Sequence, residues 1–142
     1  STYTIRTRPI YISQANKMKK DPKTSKEIKL LALMPPIKKM DANQLSALAL
    51  CEKLSMSSNA IERMSPLKLP HLKILSLGRN KLSKIDNLKS VSSTLEQLWI
   101  SYNFIGNLDG VLCCKKLKTL YIGGNCLPLP DHVNILTAPQ AF

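Results

Sequence analysis

Read as apolar and polar positions, this chain repeats one eleven-residue block four times: CEKLSMSSNAI (51–61), LKILSLGRNKL (72–82), LEQLWISYNFI (95–105) and LKTLYIGGNCL (117–127). Each block has apolar residues at its first, fourth, sixth and eleventh places and an asparagine at its ninth. The asparagines, Asn59, Asn80, Asn103 and Asn125, are 21, 23 and 22 residues apart. Inside each block, Leu54/Met56, Leu75/Leu77, Leu98/Ile100 and Leu120/Ile122 alternate as the inward face of a strand should. A short strand is therefore expected in each block, followed by a turn in which the Asn amide bonds the backbone. Further on, Met64, Ile85 and Leu108, then Leu67, Leu88, Val111 and Val133, have the spacing of a helical or 3₁₀ return segment.

The block L-x-x-L-x-L-x-x-N-x-L at this period is a leucine-rich repeat. One repeat cannot bury its apolar positions alone, so the fold class expected is an α/β solenoid with a short parallel sheet. Before the repeats, Thr24 with Glu27, and Asp41 with Gln44, have capping-box spacing. Ile28, Leu31 and Ala32 fall on one helical face, and so do Leu45, Leu48 and Ala49, with Met40 and Leu45 as a hydrophobic staple. Two helices, residues 25–33 and 42–49, are predicted as an N-terminal cap over the open end of the sheet. The division expected is a basic, poorly ordered arm (1–23), a helical cap (24–50), the repeats (51–136) and a tail (137–142). The fourth return segment, Pro128-Leu129-Pro130, breaks the pattern, and no fifth L-x-x-L follows. The sequence therefore predicts an uncovered C-terminal edge, left either by truncation or for a partner.

Charge and composition narrow the function. The 142 residues carry a net charge of +12, with ten Lys/Arg against three Asp/Glu in the first 50 positions. Such a chain suits an acidic surface (nucleic acid, tubulin or an acidic protein), or else simply presents a solvated lysine-rich face. Nucleic acid is disfavoured because the basic residues are not interleaved with aromatics. There is no apolar run of 18 residues and no signal-peptide pattern at the start, so neither a membrane span nor a secretory leader is expected. The four cysteines lack C-x-x-C spacing, which argues against structural zinc. Cys51 replaces a core leucine, whereas vicinal Cys113 and Cys114 read as reduced thiols or as a redox pair. No phosphate-binding loop, zinc-protease or nucleophile-elbow motif is present, and His71 and His132 have no evident catalytic partner. No catalytic residue, metal, cofactor or small-molecule substrate is expected.

The stretches KEIKL (26–30), PPIKKMDA (35–42), CEKLS (51–55), ILSLGRN (74–80) and above all LEQLWISYNFI (95–105) resemble the light chain 1 family of axonemal outer-arm dynein. The resemblance covers roughly residues 26 to 127 and implies a non-catalytic subunit of cilia and flagella. It further implies that the partner is a dynein heavy chain, bound at its microtubule-binding stalk tip, with tubulin nearby. A phosphatase-regulating scaffold of the same repeat type is the alternative, followed by a nucleic-acid-associated one.

Register alone selects a candidate surface, because outward strand residues line up in columns roughly 4.8 Å apart. Lys53, Ile74, Gln97 and Thr119 form one column; Ser55, Ser76, Trp99 and Tyr121 the next. Ser57, Gly78, Ser101 and Gly123 make a small-residue floor, flanked by Ser58, Arg79, Tyr102 and Gly124. Trp, Tyr and Arg are enriched in binding hot spots, so Lys53, Ile74, Arg79, Gln97, Trp99, Tyr102 and Tyr121 are the expected partner-binding residues. The competing reading is that Trp99 merely packs on Tyr121.

Overall fold

The structure, a computed structural model, describes residues 23–128 and the backbone of 135–137. Six short strands form one sheet in sequence order: β1 (Glu27–Lys29), β2 (Lys53–Ser55), β3 (Ile74–Ser76), β4 (Gln97–Trp99), β5 (Thr119–Tyr121) and β6 (Ile135–Thr137). The first five are parallel; β6 runs antiparallel to β5. Leu54, Leu75, Leu98 and Leu120 stand in direct register and are fully buried. They belong to a single core that is almost wholly aliphatic and runs from Ile28 to Ile122. Return segments close its other side. Val91 and Val111 are buried within single 3₁₀ turns, Lys89–Val91 and Asp109–Val111, while the return of the first repeat is irregular.

The asparagines tie each repeat to the one before it. Asn103 Oδ1 accepts from Leu82 N (2.9 Å), while its Nδ2 donates to Leu77 O and Ile100 O, both at 3.0 Å. Asn80 bridges Ile61 N, Met56 O and Leu77 O in the same way, and Asn125 bridges Ile105 N, Ile100 O and Ile122 O. Asn59 reaches back to Leu33 N, Ile37 N and Leu30 O. Each amide thus satisfies backbone groups from two turns of the solenoid, which a turn within one repeat would not require.

Two expectations about the ends are corrected. Residues 25–33 are not a helix: Glu27–Lys29 is a strand paired with β2, and no helix starts at the Thr24–Glu27 pair. Ile28 and Leu30 are buried, whereas Leu31 and Ala32, assigned to the helical face, are exposed. Apolar residues at 28, 30, 31 and 33 fit either period, and the free edge of β2 decides for the strand. The helical cap shrinks to α1 (Ala42–Leu45), shorter than the 42–49 predicted. Its box is as read: Asp41 Oδ1 accepts from Asn43 N and Gln44 N at 3.1 Å, and Gln44 Nε2 donates to Asp41 Oδ2 at 3.0 Å. Residues 26–40 therefore act as a divergent repeat with Leu33 at the asparagine position. At the other end, the β5 edge expected to be open is paired with β6. The arm predicted over 1–23 lies, but for Lys23, outside the described residues; so do most of the 137–142 tail and the side chain of Val133.

Burial separates the thiols. Desolvation pushes Cys51 up to about 11 and, with a contribution from neighbouring Cys113, Cys114 up to about 12. Cys113 and Cys126 are exposed. Iodoacetamide should label the two exposed thiols of the native chain at pH 8 and all four only in denaturant, counted by intact mass. Because unfolding returns the buried thiols to ordinary values near 9, they favour the fold below that pH. Their contribution is lost as pH rises from about 9 through 11 and 12, and the urea midpoint should fall across that window.

Candidate protein-binding face

The left-handed turn before each asparagine shapes one rim of this face. Ser58, Arg79, Tyr102 and Gly124 all have positive φ (59°, 54°, 57° and 72°), and so does Ala32 (46°) at the equivalent place in the divergent repeat. Non-glycine residues adopt this conformation at a cost of about 1–2 kcal/mol each. It is held here by ladder bonds such as Arg79 N to Ser101 O (2.9 Å) and Tyr102 N to Gly123 O (2.8 Å). The turn ends the strand's alternation and sends the 79 and 102 side chains along the rim.

The outward columns are found in the expected register, extended by β1. Glu27, Lys53, Ile74, Gln97 and Thr119 pair in one row, and Lys29, Ser55, Ser76, Trp99 and Tyr121 in the next. Trp99 is 40% exposed, and its ring centroid lies 4.3 Å from that of Tyr121, the planes tilted by 44°. Trp99 Nε1 donates to Gln97 Oε1 (3.0 Å), which ties the indole to its own strand. The two aromatics do pack on each other, yet they do so on the outer surface of the sheet. Tyr102 is exposed, and the Arg79 guanidinium carbon sits 4.2 Å above its ring centroid. Ser57 and Ser76 share a hydroxyl bond of 2.8 Å on the small-residue side. Ile74 is half-buried, and Lys53 pairs with Glu27 at 3.4 Å. Slight desolvation pushes the Glu27 carboxyl up, but Lys53 and Lys29 outweigh it and hold it below the usual carboxylate range.

Register reading missed three features. Phe104 is 60% exposed; it follows the asparagine, beyond the strand where columns were drawn. Leu31, exposed, adds apolar area beside β2, hidden from the sequence by the helix assignment. Immediately before the strands, Lys26, Glu52, Lys73, Glu96 and Lys118 alternate in sign, with ion pairs Lys26–Glu52 (3.7 Å), Lys73–Glu52 (3.6 Å) and Lys118–Glu96 (3.1 Å). The alternation stands at the second place of each block, one residue before the first column drawn. On the return side, a groove of about 620 Å³ is lined by Met40, Glu62, Arg63, Met64 and Asn87 among others, with Arg63 paired to Asp86 at 3.7 Å. Among the described residues no three His, Cys, Asp or Glu side chains gather as a metal site would require, and no helix is long and apolar enough to cross a membrane.

A stacked parallel sheet with an asparagine ladder and single-turn returns defines a leucine-rich-repeat scaffold, and the sequence profile of that family, leucine-rich repeats in two copies, matches residues 51–90. Dynein axonemal light chain 1 of Chlamydomonas reinhardtii is 47% identical over 129 residues, covering 72% of this chain and 65% of that protein. Its human counterpart is 54% identical over 77 residues, 54% of this chain and 40% of the human one. That of Ciona intestinalis is 52% identical over 75 residues, 52% and 39% of the two chains. The chain is a leucine-rich-repeat protein similar to dynein axonemal light chain 1. It spans less than two thirds of the length of each of these relatives.

Proposed function

We propose that the chain is a non-catalytic light chain of an axonemal dynein in cilia or flagella. Its outer sheet face binds the motor heavy chain at the microtubule-binding stalk tip and tunes motility there. One observation carries the choice of face. Every aromatic among the described residues, Trp99, Tyr102, Phe104 and Tyr121, lies outside the aliphatic core, on the third and fourth repeats. Exposed aromatics standing outside an aliphatic core have the composition of a hot spot. The relatives' names supply the partner; the sheet register supplies the residues.

The test is calorimetric titration of a dynein heavy-chain stalk-tip fragment with the wild-type chain and with the double variant Trp99→Ala/Tyr121→Ala. Truncating one hot-spot aromatic typically costs about 2 kcal/mol or more, so at least a tenfold loss of affinity is expected. Circular dichroism should show the fold intact, because neither side chain belongs to the core. Equal affinities would remove this face as the contact, and no binding by wild type would remove the partner.

A further inference from the structure

Arg79 is held in an unusual way for a surface arginine. Its guanidinium carbon sits over an aromatic ring, 4.2 Å from the Tyr102 centroid. Among the described residues no carboxylate lies within ion-pairing distance of it. Tyr102 is fixed in turn by the next repeat: a Cβ built at Gly124 would come within 2.5 Å of Tyr102 Cδ1 and 2.9 Å of Cε1. The ring therefore needs a glycine at 124, and the guanidinium needs the ring. Arg79, Tyr102 and Gly124 are equivalent residues of three successive repeats, each on the left-handed turn, with Arg79 and Tyr102 held by backbone bonds. The result is a stack across the rim that immobilises a charged fork before anything binds.

We propose that Arg79 is the anion anchor of this face, taking a carboxylate from the bound protein segment while apolar side chains of that segment cover Trp99 and Tyr121. The inference rests on the proposed function and adds the chemistry of the partner: an acidic group beside an apolar patch. Three arguments support that occupant. A planar guanidinium matches a carboxylate with two parallel hydrogen bonds, and stacking leaves its in-plane N–H groups free to make them. The ordering cost of an arginine at an interface is already met by the stack. The one carboxylate in the outward rows just described, Glu27, is taken up by Lys53 and Lys29 and sits at the far end of the sheet. The anion must then come from outside, and the chain's excess of positive charge, +12, favours its approach.

The experiment titrates the heavy-chain stalk-tip fragment over a series of salt concentrations with wild type, Arg79→Gln, Arg79→Lys and Gly124→Ala. Arg79→Gln should weaken binding by at least about tenfold, the usual effect of losing a charge-assisted hydrogen bond, and should flatten the salt dependence. Arg79→Lys keeps the charge and loses the fork, so its affinity should fall between the two with the salt dependence retained. Gly124→Ala should displace the Tyr102 ring and reproduce the lysine result with Arg79 still present. If Arg79→Gln binds like wild type at every salt concentration while Trp99→Ala/Tyr121→Ala does not bind, the face is right and the anchor is wrong. A loss of affinity with unchanged salt dependence would give Arg79 a packing role and would also overturn the proposal. Absence of wild-type binding would overturn both readings together.

Discussion

Leu75→Ala is expected to destabilise the domain by roughly 2–5 kcal/mol, the range for removing a buried leucine from a core that closes only partly around the gap. Leu75 is fully buried in β3, with Leu54 and Leu98 directly beside it in register. Both neighbours are held by parallel strands on their far sides, so neither can move in without breaking its own ladder. The cavity term should therefore be large. Ser76→Ala, one residue along and facing outward, loses a single half-buried hydroxyl bond to Ser57 and should cost no more than about 0.5–1.5 kcal/mol. Urea denaturation of the three proteins decides. A change below about 0.5 kcal/mol for Leu75→Ala, no more than a surface substitution gives, would place that side chain outside the core.

Asn103→Ala should cost roughly 2–4 kcal/mol through a different route. The substitution leaves the buried Leu82 amide without its acceptor and takes one donor each from Leu77 O and Ile100 O. An orphaned buried amide costs about 1–3 kcal/mol, and the void adds to it. The two carbonyls also accept from Asn80 and Asn125, which softens their loss. Asn103 is 3% exposed, whereas Asn125 is only half-buried, so Asn125→Ala should cost less. Equal midpoints for Asn103→Ala and wild type would mean that water replaces the amide without penalty.

The repeats were legible because one residue type, asparagine, fixes the phase of everything around it. With Asn80 and Asn103 placed, the inward leucines and the outward Ile74, Gln97 and Trp99 follow by alternation. The ends were not legible because their structure depends on what lies beside them. Ile28 and Leu30 form a strand because β2 offers unpaired backbone groups, a cause that residues 25–33 do not contain. The pairing of Ile135–Thr137 with β5 likewise carries no leucine pattern. At the candidate site the aromatic pair was visible, but the Arg79–Tyr102 stack was not. Alternation stops at the left-handed turn, and strand geometry says nothing about side chains beyond it.

Among the described residues no aromatic belongs to the core, and this has an optical consequence. The chain has a single tryptophan, and it stands on the face proposed for the partner. Its indole, partly wet and stacked on Tyr121, samples the solvent at that face. Tryptophan emission thus offers a readout of the proposed contact, and the core of the described residues holds no aromatic to report on folding. A dye-free binding assay is built into the sequence at position 99, while folding has to be followed through the backbone.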